Sequence, residues 1–362
     1  MGFVGANGYA CIERRMKTAV EQKVNTVSQS NSPEMSVILV SLDSYERIRL
    51  TMAALRAQTA KHRLEIVIVA PSREVLKLDE EDLKEFLSFQ VVEVGPIRST
   101  GGAIAAGFQR AQAPVVAYAE EHSYPFPAWA EALLLAHKKP WGAVGAAIVN
   151  ANPGTIISWA NLFTDFGPSV EPVTGGVTSH LAWHHGSYKR GLLSGYEPYQ
   201  LQGFLETEGF LHQALQERGY QLYLEPAAKS NHVNVSTIVS LIRCEFVGGR
   251  LFGAARVRHN KWSMARRLLY IFGSPLIPAL RLRRTLQEVR RAGQFEKLFP
   301  QILPSMLTAL MAHCLGEITG YALGAGDAAW QRVPCELNRC EFLAESEKQQ
   351  RGITASVKST IP

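Results

Sequence analysis

Between Ser36 and Tyr118, short apolar runs alternate with helical stretches, and that alternation leaves the chain few folds to choose from. Ser36 to Val40, Glu65 to Val69, Val91 to Val94 and Pro114 to Tyr118 are brief and rich in β-branched residues, which suits strands buried on both faces. Between them Ile48, Met52 and Leu55 repeat at helical spacing. Asp79 to Leu87 reads as an acid-rich helix, and Gly101-Gly102 opens a small-residue helix through Ala103, Ala106, Phe108 and Ala111. Strand and helix in alternation predict right-handed βαβ units around a mostly parallel sheet. Ligands of such sheets bind beyond the carboxyl ends of the strands. That rule marks Ser41 to Ser44, Ala70 to Ser72, Gly95 to Gly102 and Glu120 to His122.

From Trp141 to Ser194 the pattern weakens into short strands and Gly/Pro-rich loops. A helix resumes at Glu208, with Leu211 and Leu215 on one face and Gly219 as its C-cap. Gln221 to Leu224 reads as a strand, and a loop from Pro226 reaches His232. After Arg243 the character changes. Twelve Arg or Lys up to Arg291 face only Glu245 and Glu288, so much of the net charge of +6 belongs to one region and calls for one partner. Arg266, Arg267, Arg281, Arg283 and Arg284 bracket the apolar run Leu268 to Leu280, which Pro275 and Pro278 interrupt and which is too short to span a bilayer. Leu298 to Gly326 is longer but contains Pro300, Pro304, His313 and Glu317. Both segments suit helices in the membrane interface, with arginines at anionic headgroups. Interleaved apolar runs favour lipid over nucleic acid.

Five scattered cysteines read as free thiols in a reducing cytoplasm. Residues 1–34 lack a signal-peptide pattern and read as a disordered leader. An α/β domain follows over 35–240, then a basic, apolar helical region over 241–330 and a polar tail over 331–362.

The candidates for chemistry are few. Two carboxylates and an imidazole at the end of a buried strand, Glu120-Glu121-His122, are costly unless a cation or ligand compensates them. Alternation puts Glu120 and His122 on one side and Glu121 on the other; because alternation often fails at a strand end, spacing leaves open which carboxylate meets a metal. Glu206 and Glu208 stand at a helix start, where a carboxylate is either a cap or a general base. His184-His185 with Lys189-Arg190 is a cationic stretch suited to phosphate, and His232 is a distal histidine.

In this order, these segments resemble the family 2 glycosyltransferases over Ser36 to Asn234. Glu120-Glu121-His122, followed by Pro125, Pro127 and Trp129, resembles a bacterial Glu-Asp-His variant of the family's acidic metal motif. His185 to Arg190 resembles the loop before the catalytic helix. Leu205 to Glu208 resembles the segment carrying the base, and Asn231 to Asn234 resembles the distal-histidine segment. The resemblance implies a GT-A-type nucleotide-sugar-binding domain with a basic, membrane-associating helical part. It also implies metal-assisted, inverting transfer from a nucleotide-sugar to an acceptor hydroxyl. The metal, Mg²⁺ or Mn²⁺, would be held by Glu121, His122 and His232. Ser41, Asp43, Arg98, Glu120 and Glu121 would meet the donor; Glu208, with Glu206 second, would act as base. His185, Lys189, Arg190 and Trp129 would contact acceptor or phosphate. A carbohydrate or lipid-linked acceptor on the anionic inner face of the cell membrane, in envelope polysaccharide or glycolipid synthesis, completes the expectation; no nucleic acid is expected. Ala70-Pro71-Ser72 stands where the family places a base-reading aspartate. The rivals are a fold-sharing scaffold without chemistry and a nucleotidyltransferase, although Ser41 to Ser44 lacks the Gly-rich basic loop of the latter.

Overall fold

Apolar residues at every position of a strand require a layer on each face, and the computed structural model, which describes residues 32–350, supplies both. The leader expected over 1–34 lies outside the described residues except for 32–34. Strands β1 (Met35–Val40), β2 (Leu64–Ala70), β3 (Ser88–Glu93) and β4 (Val115–Tyr118) pair in parallel in the spatial order β3-β2-β1-β4. Val37 and Leu39 of β1, with Ile66 and Ile68 of β2, join Ile48, Met52 and Leu55 of helix Tyr45–Arg56 on one face. Ile38, Val40, Val67 and Val69 join Ile104 and Phe108 of helix Thr100–Arg110 on the other. Gly107 is what lets that helix approach: a Cβ there would lie 2.6 Å from Ile38 Cγ2.

Beyond β4 the sheet continues with β8 (Gly186–Lys189), β6 (Ala143–Asn150), β9 (Leu222–His232) and β5 (Ser123–Pro125), while β7 (Gly176–Thr178) adds to β9. In this half only β6 and β9 run parallel, so the nine-stranded sheet is mixed.

Several expectations change. Asp79 to Leu87 forms only a short 3₁₀ turn over Glu80–Leu83, anchored by Leu83, with Phe86 buried just beyond it. The weak stretch after Trp141 contains the long strand β6 and helix Ile156–Phe166. β9 runs through Pro226 to His232: its register on β6 jumps from Ala146–Glu225 to Ala147–Lys229, and the irregularity accommodates the proline.

Helix Ile238–His259 packs along helix Ile302–Leu323 with glycines on both sides. Ile302–Leu323 is the one helix among the described residues long and apolar enough to cross a membrane. Here it is paired with protein, and Glu317 on it is buried, accepting from Tyr321 OH at 2.5 Å with Arg281 at 3.6 Å and Arg256 at 3.9 Å. Residues 331–343, expected to begin a loose polar tail, instead belong to helix Ala328–Leu337 and a turn over Arg339–Phe342. Val333 and Leu337, four apart on one helix face, enter the core beside β1 and β2. Cys335 is bonded to Cys244, so the free-thiol reading fails for this pair and no longer points to a reducing compartment.

Candidate functional site

Parallel strands end together, and the end of β4 delivers Glu120, Glu121 and His122 to the carboxyl edge of the sheet. Thr51 of helix Tyr45–Arg56 clamps the turn, donating to both Glu120 O and Glu121 O at 3.0 Å. Antiparallel pairing of β8 on β4 brings His185, just ahead of β8, to the same edge, and pairing of β9 on β5 sets His232 opposite Ser123. Residues distant in sequence thereby converge for topological reasons.

Glu120, His122 and His232 meet in a buried set whose ligand atoms are close enough to share one cation, and His185 touches Glu120 from beside it. Glu120 Oε2 lies 3.2 Å from His185 Nε2, 3.3 Å from His232 Nε2 and 3.6 Å from His122 Nε2; the latter two nitrogens are 3.1 Å apart. Among Glu120, His122 and His232 the separations of 3.1, 3.3 and 3.6 Å bracket about 3.3 Å, the edge of a tetrahedron built on metal–ligand bonds of ~2.0–2.1 Å, while His185 approaches Glu120 alone. Glu120 Oε2 and His185 Nε2 are buried without a well-aligned hydrogen bond, as expected of atoms shaped for a cation. The tautomer of His232 is fixed from behind: Asn234 Oδ1 accepts from its Nδ1 at 2.9 Å, which leaves the Nε2 lone pair facing the cluster. Burial brings His232 down to about 3, so it stays neutral, as a ligand must. Burial also opposes ionisation of Glu120, but His122 and His185 outweigh it and hold the carboxyl well below its usual range. Two imidazoles and one carboxylate fit a divalent cation, and suit one of Mn²⁺ or Zn²⁺ character better than Mg²⁺, which prefers oxygen; Glu120, His184 and Glu336 form a second such trio on the same carboxylate.

Glu121, expected as a ligand, lies outside this set. Its Oε1 accepts from Arg339 N at 2.8 Å and stays 3.6 Å from His122 Nδ1. Strand alternation therefore persists through the end of β4, and Glu120 takes the position facing the histidines.

A second layer surrounds the cluster. His184 adopts φ +62°, a left-handed conformation that a non-glycine residue takes at some cost. The twist directs its ring Nδ1 to Glu120 Oε1 at 3.2 Å and Glu336 Oε2 at 3.5 Å, and its N–H to Glu208 Oε2 at 2.6 Å. Burial disfavours its charge, but hydrogen bonds to Glu120 and Glu336 raise His184 well above the usual histidine range. Glu208, at the first turn of helix Glu208–Glu217, is raised by burial to about 7, although His184 pulls the other way. It is the best-tuned base at the site.

The C-terminal segment covers the cluster. Asn338 accepts from Arg47, Arg339 Nη2 sits 3.0 Å from His122 Nε2, and Arg332 Nη2 holds Glu336 Oε1 at 2.8 Å. Sequence reasoning missed Glu336 and Arg339; the four-residue spacing of Val333 and Leu337 was the available signal that this stretch is a packed helix.

Other expected residues fall elsewhere. Glu206 caps helix Thr100–Arg110, accepting from Ser99 Oγ at 2.5 Å and Gly101 N at 2.9 Å, so it is occupied structurally. Lys189 and Arg190 pair near Val115, at the amino end of β4, and donate to Lys139 O and Ala113 O; they are at the wrong end of the sheet for the cluster. Ser41 donates to Ser44 O at 2.7 Å in the turn after β1, and Asp43 is ion-paired with Arg47. Arg98 is exposed ahead of helix Thr100–Arg110. Trp129 is buried and shares a small cavity with His185 and Tyr118.

A larger cavity of about 580 Å³ adjoins the cluster. Phe166 forms part of its wall and turns its ring edge-on to His185 and His232, at centroid distances of 5.4 and 4.6 Å. Trp183 and Gly209, the chain neighbours of His184 and Glu208, line it from the other side. The cavity thus borders neighbours of the cluster and of Glu208, while none of Glu120, His122, His185, His232 and Glu208 lines it.

No family model and no curated protein matches this chain. Among solved structures it is similar to S. aureus TarS 1-349, crystallised in complex with UDP, at 14% identity and a TM-score of 0.41, over 80% of this chain and 92% of that one. At that distance the likeness assigns neither a family nor an activity.

Proposed function

We propose that this chain is a metal-assisted glycosyltransferase that moves a sugar from a nucleotide-sugar to an acceptor hydroxyl with inversion. The observation that carries this reading is a cation-shaped set of Glu120, His122 and His232 joined through His184 to a buried carboxyl, Glu208, raised to about 7. A cation bound by the cluster would neutralise the diphosphate as it leaves. Glu208 takes the proton of the acceptor hydroxyl while that oxygen bonds to the anomeric carbon and the carbon–diphosphate bond breaks on the opposite face. His184 links the two halves, since its ring bonds Glu120 and its N–H orients Glu208. Arg332 and Arg339, on the segment over the cluster, are cations that a diphosphate can engage in place of Glu336 and His122. The same cover favours the rival, a scaffold without chemistry, because it fills the end of the sheet.

Metal content and nucleotide-sugar turnover separate the two. The wild type is expected to retain about one Mn²⁺ or Zn²⁺ per chain after dialysis and to turn over at least one of a panel of nucleotide-sugars in a metal-dependent way. Glu120→Gln should lower metal affinity by about 10–100-fold, judged by the losses seen when metal-site partners are removed. Metal-independent behaviour throughout the panel overturns the reading.

A further inference from the structure

A guanidinium donates hydrogen bonds and never accepts them, so the nitrogen that Arg339 touches must offer a lone pair. Arg339 Nη2 lies 3.0 Å from His122 Nε2, which puts the proton of His122 on Nδ1, turned toward Glu121 Oε1 at 3.6 Å. His122 Nε2 is also the atom that His122 brings to the cation set, 3.1 Å from His232 Nε2 and 3.6 Å from Glu120 Oε2. One lone pair serves one partner. Arg339 and a divalent cation therefore compete for His122 Nε2, and the guanidinium charge repels a cation that approaches the neighbouring ligands.

The rest of Arg339 is short of partners. The residue is 6% exposed, and its Nε is buried without a hydrogen bond. The carboxylate paired with it, Glu336 Oε2, stands at 3.9 Å and is shared with His184 Nδ1 at 3.5 Å, while Arg332 Nη2 holds Glu336 Oε1 at 2.8 Å. A buried cation with one distant carboxylate and an idle N–H calls for a further anion. The backbone does not follow the side chain. Cys335 is bonded to Cys244, Leu337 is fully buried, Arg339 N donates to Glu121 Oε1 at 2.8 Å, and Phe342 anchors the far side of the turn in the core. Any exchange of partners by Arg339 is thus a side-chain event on a fixed main chain.

We propose that Arg339 couples the cation to the diphosphate: it holds His122 Nε2 against the cation, and a diphosphate that takes over its guanidinium frees that nitrogen for the cation set. The inference rests on the sugar-transfer reading and adds the regulation of its site. The wild type holds the cation in both states, and more tightly in the second. Such coupling is reciprocal, so the factor that diphosphate adds to metal affinity is the factor that metal adds to diphosphate affinity.

Equilibrium dialysis of the full chain against Mn²⁺, alone and with inorganic pyrophosphate, reads this coupling without any turnover. Arg339→Met keeps most of the length and drops the charge. It should bind Mn²⁺ at least about tenfold more tightly than the wild type when no diphosphate is present, the effect of one charged hydrogen bond. The factor by which pyrophosphate tightens Mn²⁺ should shrink by a similar amount. Arg339→Lys, which restores a cation, should return Mn²⁺ affinity to near the wild-type value. Loss of a merely structural residue would loosen the metal instead. Should Arg339→Met fail to fold, Arg339→Gln carries the same expectation. Mn²⁺ affinity that is unchanged or lower in the uncharged variant, or a pyrophosphate effect as large there as in the wild type, overturns the proposal. If metal-dependent nucleotide-sugar turnover persists in that case, sugar transfer stands without this role for Arg339. Tighter Mn²⁺ binding by Arg339→Met in a protein that turns over no nucleotide-sugar leaves the competition at His122 standing and removes the sugar-transfer reading.

Discussion

At 1% exposure Glu208 has almost no water to solvate a negative charge, and Glu120 and Glu336 add like charge, so its proton is held to about 7 despite the opposing His184. The raised value makes it both a competent base and a cost to stability. Relative to its ordinary value of 4.5, the displacement corresponds to about 3 kcal/mol. The sign follows from linkage: the group's contribution is fully present below about 4.5 and is lost as pH rises through about 7. Glu208→Gln keeps an acceptor for His184 N–H and removes the charge. Turnover should fall by about 10²–10⁴-fold, while urea unfolding should show the variant gaining stability over the wild type between pH 5 and pH 8. An unchanged pH slope would mean that Glu208 is not the buried titrating group. Residue by residue, the sequence disclosed which side chains matter better than how they divide the work. Glu120, Glu121, His122, His185, Glu208 and His232 were singled out and the fold gathers them at one end of the sheet, but the choice of Glu120 over Glu121 depended on whether alternation survives the end of β4. Lys189 and Arg190 carried suitable charge at the wrong end of a strand whose antiparallel direction no local pattern reveals.

Helices that touch through glycine bring backbone against backbone, and the pair Ile238–His259 and Ile302–Leu323 does so at Gly249, Gly253, Gly316 and Gly320. A Cβ at Gly316 would fall 2.1 Å from Phe246 O and 2.8 Å from Arg250 N, both backbone atoms with no rotamer to yield. Gly316→Leu should therefore cost at least about 3 kcal/mol, read as a fall in the urea midpoint without a change in slope; a loss under about 1 kcal/mol would show that the helices slide freely. The same pair explains a limit of pattern reading. Ile302–Leu323 is apolar because much of it is core, and its hydropathy alone cannot separate a lipid neighbour from a helix neighbour. β1, β2 and β4 were legible because both their faces are buried and nearly every position is apolar, whereas β3, half-buried and carrying Ser88, Gln90 and Glu93, showed only its Val91-Val92 centre. β6 is equally apolar, but Gly and Ala make up half of it, and small residues give little signal of either period. Residues 331–343 went unread because their partners lie far away in sequence: Arg47, Glu121 and His122 for the polar groups, Cys244 for Cys335 and the first strands for Val333 and Leu337.

Across the whole molecule the positive charge is concentrated in one stretch of chain. Of the 38 Lys and Arg, twelve lie between Arg243 and Arg291 against two carboxylates, and the exposed strip from Met264 to Leu280 falls within that stretch. Two forces then act on membrane binding, and salt separates them. Attraction of Arg266, Arg283 and Arg284 to anionic headgroups is screened as the Debye length shrinks from about 10 Å at 0.1 M to about 3 Å at 1 M salt. Burial of Leu269, Phe272 and Leu276 is not weakened by salt. Each basic residue near the surface is worth about 1 kcal/mol at low ionic strength, so binding to phosphatidylglycerol vesicles should drop by about two orders of magnitude over that range. Binding to phosphatidylcholine vesicles, weaker at the start, should hardly move. Flotation across a salt series measures both. A parallel decline on the two lipids would mean that the arginines are not what selects the surface, and salt-independent binding to both would mean that the apolar strip acts alone.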